Sequence, residues 1–180
     1  MLYVFNTASM WADTHPYDVL KTSADPKLVL TNPVHFAAFG FGSGLSPVAP
    51  GTVGTLVGFP LYYVMSGLPM LTQAVILTVL FIVGIWICDV TGKAVGEADH
   101  SGIVWDEIAC FAMVLVITPM TLLWWAGAFA AFRFFDIVKI WPASWADNSL
   151  KNGFGVMLDD LVAAVYAILV IAGFRYFLNV

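Results

Sequence analysis

Charge is what this sequence has least of. Seven basic and twelve acidic residues make up 11% of 180 positions, against about 25% in soluble globular domains. With 61% hydrophobic residues and a mean hydropathy of +0.89, the chain has too little polar surface to dissolve a domain of its length. A membrane protein is expected. Cysteine is scarcer still: Cys88 and Cys110 both sit in apolar runs, which excludes a disulfide framework and a thiolate metal pair. Neither is followed by an arginine six residues later, so neither opens a C-x5-R phosphatase loop. The stretch MLYVFNTASMWADTHPYD has no basic segment ahead of an apolar core, and a cleaved signal peptide is not expected. Repeats, linkers and low-complexity tracts are missing as well.

What is present is apolar length. Uncharged apolar runs occupy 52–66, 71–88, 108–132 and 161–174, and a spanning helix needs about 20 residues. The last run reaches only roughly 21 Å at about 1.5 Å per residue. Its helix must therefore begin near Gly155 and carry Asp159 and Asp160 to the membrane edge. Within 108–132, Pro119 removes a backbone donor and disfavours helix in the residue before it. Splitting the run there gives five helices, about 51–66, 71–90, 102–118, 121–139 and 155–177. The expected fold is all-α, a polytopic membrane protein with about five membrane-embedded helices. Residues 1–31 read as a polar cytoplasmic arm and 32–180 as the membrane-embedded catalytic domain, with 32–44 at the interface.

Five helices fix sidedness by parity. The short connections fall on one side and every motif-like stretch on the other. All twelve acidic residues and six of the seven basic ones lie on the motif side, with Arg175 alone opposite. The lysine and arginine bias makes the motif side cytoplasmic.

Ionisable groups at membrane depth are expensive and mark function. Four clusters qualify. GSGLSPVAPGTVGT (42–55) is a glycine- and proline-rich loop before a helix start, a setting that exposes backbone N–H groups to anions. Its hydroxyls, Ser43, Ser46, Thr52 and Thr55, are candidate substrate-binding groups. ADHSGIVWDE (98–107) carries Asp106 and Glu107 at a helix start. FRFFDIVK (132–139) places Arg133, Asp136 and Lys139 at i,i+3 spacing on one face. KNGFGVMLDD (151–160) ends in Asp159 and Asp160. Helix capping explains one carboxylate at a helix start but not two. Carboxylates crowded at one membrane face repel, and a hard cation with oxygen ligands relieves them. Magnesium binds through one or two carboxylates plus phosphate oxygens, and Arg133 with Lys139 can neutralise a phosphate. The candidate metal ligands and catalytic groups are drawn from Asp106, Glu107, Asp136, Asp159 and Asp160. Together they spell metal-assisted phosphoryl chemistry on a lipid headgroup.

Four stretches in order, GFGSGLSPVAPGTVGT, HSGIVWDE, FRFFDIVKIWP and GFGVMLDD, give the chain a resemblance. From about residue 32 to 165 it resembles the phosphatidylglycerophosphatase A family, bacterial membrane phosphatases that make phosphatidylglycerol from its phosphate precursor. The resemblance implies a magnesium-dependent phosphomonoesterase of the bacterial inner membrane, with its site facing the cytoplasm. It places the family's polar positions on Asp106, Glu107, Arg133, Asp136, Lys139, Asp159 and Asp160. Nucleic acid is not an expected partner. A lipid phosphotransferase is disfavoured because no DG…AR stretch with spaced aspartates occurs. An ion carrier is disfavoured because runs such as VILTVLFIVGIWI (75–87) offer no polar path.

Overall fold

The structure, a computed structural model, describes residues 25–179, so most of the arm expected over 1–31 lies outside the described residues. Those described form helices and turns, with no strand among them. Two short helices come first, α1 (Pro26–Thr31) and α2 (Pro33–Ala38). Each opens with proline at its first position, where the missing N–H costs nothing. Each is capped by the preceding side chain: Asp25 accepts from the Lys27 amide and Asn32 from the Val34 amide, both at 2.9 Å. A 3-10 stretch, Gly40–Leu45, then leads to α3 (Pro50–Met65). α4 (Met70–Val95), α5 (Trp105–Val116) and α6 (Leu122–Val138) follow, then the short α7 (Ala143–Ser149) and α8 (Gly153–Leu178).

Helices α3, α4, α5, α6 and α8 cover the five expected stretches, but length divides them. α4 and α8 have 26 residues each, with mean hydropathy 2.4 and 2.1 over their apolar windows. At 1.5 Å per residue they are about 39 Å long, enough to cross a hydrocarbon core of about 30 Å. α3, α5 and α6 have 16, 12 and 17 residues, or about 24, 18 and 26 Å. Of the about five membrane-embedded helices expected, two of those described, α4 and α8, are by themselves long and apolar enough to cross. α5 is shortened at both ends for identifiable reasons. The backbone ahead of it is pinned to the 33–45 region, where Val104 N–H donates to Ala38 O at 2.9 Å. At its far end helix stops before Pro119.

Burial separates these helices from those of a soluble core. α4 exposes Val75, Val79, Ile82, Val83 and Trp86, an apolar face suited to lipid. α5 is the centre of the bundle, with Ile108, Ala109, Cys110, Phe111, Ala112, Val114 and Leu115 buried. Phe111 meets Phe59 of α3 edge-on at 4.9 Å and Phe129 and Phe132 of α6 at 5.8 and 5.5 Å. α8 turns buried Ala163, Ala164 and Ala167 into the bundle, small side chains of the kind that let helices approach closely. The fold is all-α and membrane-associated.

Candidate active site

One end of the bundle gathers the start of α3, the segment before α5, the end of α6 and the first turns of α8 around a polar cleft of about 280 Å³. Asp99, Asp106, Glu107, Arg133, Asp136, Lys139, Asp159 and Asp160 line it. A larger groove of about 620 Å³ at the opposite end, beside Ile117 and Arg175, contains no carboxylate. Arg175 Nη1 donates to Ile117 O there at 2.7 Å, which fixes the far ends of α5 and α8 together.

Capping does not account for the cleft carboxylates. No side chain caps α5. α8 is capped by Asn152, whose Oδ1 accepts from the Gly155 amide at 3.0 Å. Asp159 and Asp160 lie further along, inside the helix and buried. Asp106, Glu107 and Asp160 each offer one oxygen within 4.8 Å of the others. Asp106 and Asp160 are 5% and 3% exposed, and Asp106 Oδ1, Glu107 Oε2 and Asp160 Oδ2 meet no donor. Buried anions without donors are strongly unfavourable. Three hard oxygens converging in this way fit a divalent cation such as magnesium.

Arg133 stands beside this triad. Its Nη1 donates to Asp136 Oδ2 at 2.5 Å and reaches Glu107 Oε1 and Thr55 Oγ1 at 3.4 Å. Its Nε is buried without an acceptor. Gly51, in the first turn of α3, packs directly over the pair: a Cβ there would stand 2.2 Å from Glu107 Oε1 and 3.2 Å from Arg133 Nη2. The amino-terminal end of α3, with its partial positive charge, thus borders the cleft.

Lys139 ends α6 in the left-handed region, φ 46 and ψ 59. Its ammonium donates to Asp159 Oδ2 at 2.6 Å, Asp147 Oδ1 at 2.9 Å and Asp99 Oδ2 at 3.4 Å. Burial alone would lower the Lys139 pKa, but the charge and hydrogen bond of Asp159 outweigh it and raise the value. Burial likewise pushes Asp147 upward, and the hydrogen bond from Lys139 prevails, holding its carboxyl below the usual range.

The family model for phosphatidylglycerophosphatase A matches residues 36–175, a span that contains every group just described. The chain belongs to that family. The phosphatidylglycerophosphatase A of Escherichia coli is 39% identical over 160 residues, 88% of this chain and 91% of its own. That of Haemophilus influenzae is 42% identical over 154 residues, 84% of this chain and 94% of its own. A protein of Bacteroides thetaiotaomicron, described provisionally as a phosphatidylinositol-3-phosphatase, is 39% identical over 145 residues, 76% and 90% of the two chains. No solved structure matches.

Not every residue singled out in the sequence reaches the cleft of this family member. The four-motif pattern converges, but Asp136 is taken by Arg133 and Asp159 by Lys139, while Asp106, Glu107 and Asp160 each keep one donor-free oxygen. Ser43 donates to Gly40 O at 2.8 Å and Ser46 to Val48 O at 2.9 Å, so both hydroxyls serve the loop. Thr55 donates to Gly51 O and also meets Arg133. Thr52 is half-buried and does not line the cleft. The 42–55 glycines are used mostly for packing: a Cβ at Gly44 would lie 2.0 Å from Gly102 O. Sequence reading passed over Asp147 and Gly51. Asp147 lies in a short helix between motifs, with no local signal that it faces Lys139; Gly51 shows only as one glycine among many.

Proposed function

We propose that this chain hydrolyses the phosphomonoester of phosphatidylglycerophosphate, giving phosphatidylglycerol and phosphate at a bacterial inner membrane. The observation that carries the reading is the pairing of opposites in one cleft. Three buried carboxylate oxygens without donors face a guanidinium whose Nε lacks an acceptor. A divalent cation and a phosphate satisfy both at once. Family membership supports the activity and the substrate class.

In this reading Asp106, Glu107 and Asp160 hold magnesium. Bound there, the ion would polarise the phosphate and lower the pKa of a coordinated water. Arg133 binds phosphate oxygens through its free N–H edge, oriented by Asp136 through their 2.5 Å contact. The N-terminus of α3 faces the same charge, with Gly51 giving the Glu107 and Arg133 side chains room beside it. Lys139, held in place by Asp159, adds a second positive charge to the wall of the cleft. As charge builds on the transferred phosphoryl group, the Arg133 edge and the start of α3 are already beside it and need no reorganisation, while Lys139 acts through its charge alone.

The same reading embeds α3, α5 and α6 beside the two crossing helices, with the cleft opening at the cytoplasmic leaflet. Lys93, Lys139 and Lys151 at the cleft end, against Arg175 at the other, support that orientation. Residues 1–31 then form the cytoplasmic arm and 32–180 the catalytic domain. The test is phosphate release from phosphatidylglycerophosphate in mixed micelles by the purified protein, with magnesium and with chelator. Release that requires the metal is expected; equal release in chelator would remove the metal from the mechanism.

A further inference from the structure

Two carboxylate triads share the cleft wall, and their occupancy differs. In each, three oxygens lie within 4.8 Å of one another, a separation at which oxygens gather around one cation. The Asp106, Glu107 and Asp160 triad keeps three donor-free oxygens. The Asp99, Asp147 and Asp159 triad turns all three toward Lys139 Nζ, at 3.4, 2.9 and 2.6 Å. Adjacent residues of α8 join the two, Asp159 facing one triad and Asp160 the other. An ammonium has three donors and no acceptor, so its hydrogens match three carboxylates.

The backbone is bent to achieve this. Lys139 is a non-glycine residue with φ 46, a left-handed conformation that is unfavourable for a residue with a side chain and persists where surroundings enforce it. The three carboxylates come from separate parts of the fold: the turn after α4, α7 and α8. None is a sequence neighbour that would meet Lys139 by default.

We propose that the Asp99–Asp147–Asp159 triad is a second cation site whose resident cation is the Lys139 ammonium. The cleft therefore takes one divalent ion, at Asp106, Glu107 and Asp160, where two-metal phosphoryl-transfer sites take a pair. The inference rests on the metal reading above and deepens it. It makes Asp99 and Asp147 positioning residues, acting on substrate only through the ammonium they hold. It also supplies the cleft with one positive charge that no chelator can remove.

The test counts manganese(II) bound to the full-length protein in detergent, by electron paramagnetic resonance titration. Wild type binds one ion. Asp106→Asn removes a ligand charge and weakens that ion by at least about tenfold, while Asp147→Asn leaves it within about threefold. Lys139→Met empties the second triad and raises the count to two, and adding Asp147→Asn to that variant returns it to one. If Lys139→Met does not fold, Lys139→Gln replaces it, and the wild-type count with the two aspartate variants decides. Two ions in wild type overturn the proposal. So does one ion lost with Asp147→Asn but kept with Asp106→Asn, and so does a folded Lys139→Met that still binds one. Wild type that binds none overturns the metal reading itself, which distinguishes that failure from a wrong assignment of the lysine.

Discussion

Arg133 and Asp147 show how a side chain's role depends on what it faces. Arg133 is nearly enclosed, with one strong carboxylate partner at 2.5 Å, two long contacts at 3.4 Å and an idle Nε. Lysine at this position keeps the charge but has no planar fork to hold Asp136 and a phosphate together. Arg133→Lys should lower kcat/KM for the lipid phosphate by about 10²-fold, the scale of losing one preorganised donor, without lowering the thermal midpoint. Turnover near wild type would leave Arg133 as an anchor for Asp136 only. Asp147 gives a pH prediction. Its carboxyl is held below the usual value by Lys139, so its folded pKa lies under its unfolded one. The stabilisation it provides is present above the unfolded pKa, about 3.9, and fades as pH falls through the folded value. Asp147→Asn should therefore unfold at a lower temperature than wild type at pH 7. The gap should narrow toward pH 3, as read by thermal unfolding in detergent; a gap independent of pH would argue against the ion pair.

At the scale of elements, the cleft depends on how closely α8 approaches α4. A Cβ at Gly153 would stand 2.1 Å from Ile85 O and 2.6 Å from the Asp89 amide nitrogen, both backbone atoms that cannot step aside. The Gly153 amide also donates to Asp89 Oδ1 at 3.3 Å. Gly153→Ala must push the first turn of α8 away and shift Asp159 and Asp160 with it. Overpacking of this kind costs typically about 1–3 kcal/mol. Gly173, in the same helix, has nothing within 4 Å of its added Cβ, so Gly173→Ala should be neutral or stabilising by up to about 1 kcal/mol. Thermal midpoints and activity of the two variants, measured together, check this; equal effects would mean that the α4–α8 crossing does not set the site.

For the whole molecule the question is which end faces which compartment. Gly67 lies in the turn between α3 and α4, and Lys151 is exposed ahead of α8 at the cleft end. Single cysteines at these sites, in a background where fully buried Cys88 and Cys110 are replaced by alanine, should react with an impermeant thiol reagent from opposite faces of the membrane. Gly67→Cys should label from outside intact cells and Lys151→Cys only after the inner membrane is opened. Labelling of both from one face would break the antiparallel sequence of helices on which the proposed cytoplasmic orientation rests.

Much of this molecule is decided by rules that act locally along the chain. Hydropathy marks the apolar helices, Pro119 divides the longest run, and the asymmetry of charge collects the polar groups at one end, because each depends on residue type and short-range geometry. The length of α5 is not local: it starts at Trp105 because the segment before it is pinned to the 33–45 region, where Val104 N–H donates to Ala38 O. The cleft divides in the same way. Its motifs are legible in sequence, but which carboxylate stays open is not. Asp159 and Asp160 are neighbours in the chain and enter different triads, while Asp106 and Glu107 enter the same one. Lys139 finds partners 8, 20 and 40 residues away, and Arg133 is tied to Glu107 across 26. Such pairings are chosen by the packing of α5, α6, α7 and α8, which sets the distances on which charge interactions depend. Composition put the charges at one end of the bundle; only the tertiary fold sorted them into an occupied triad and an open one.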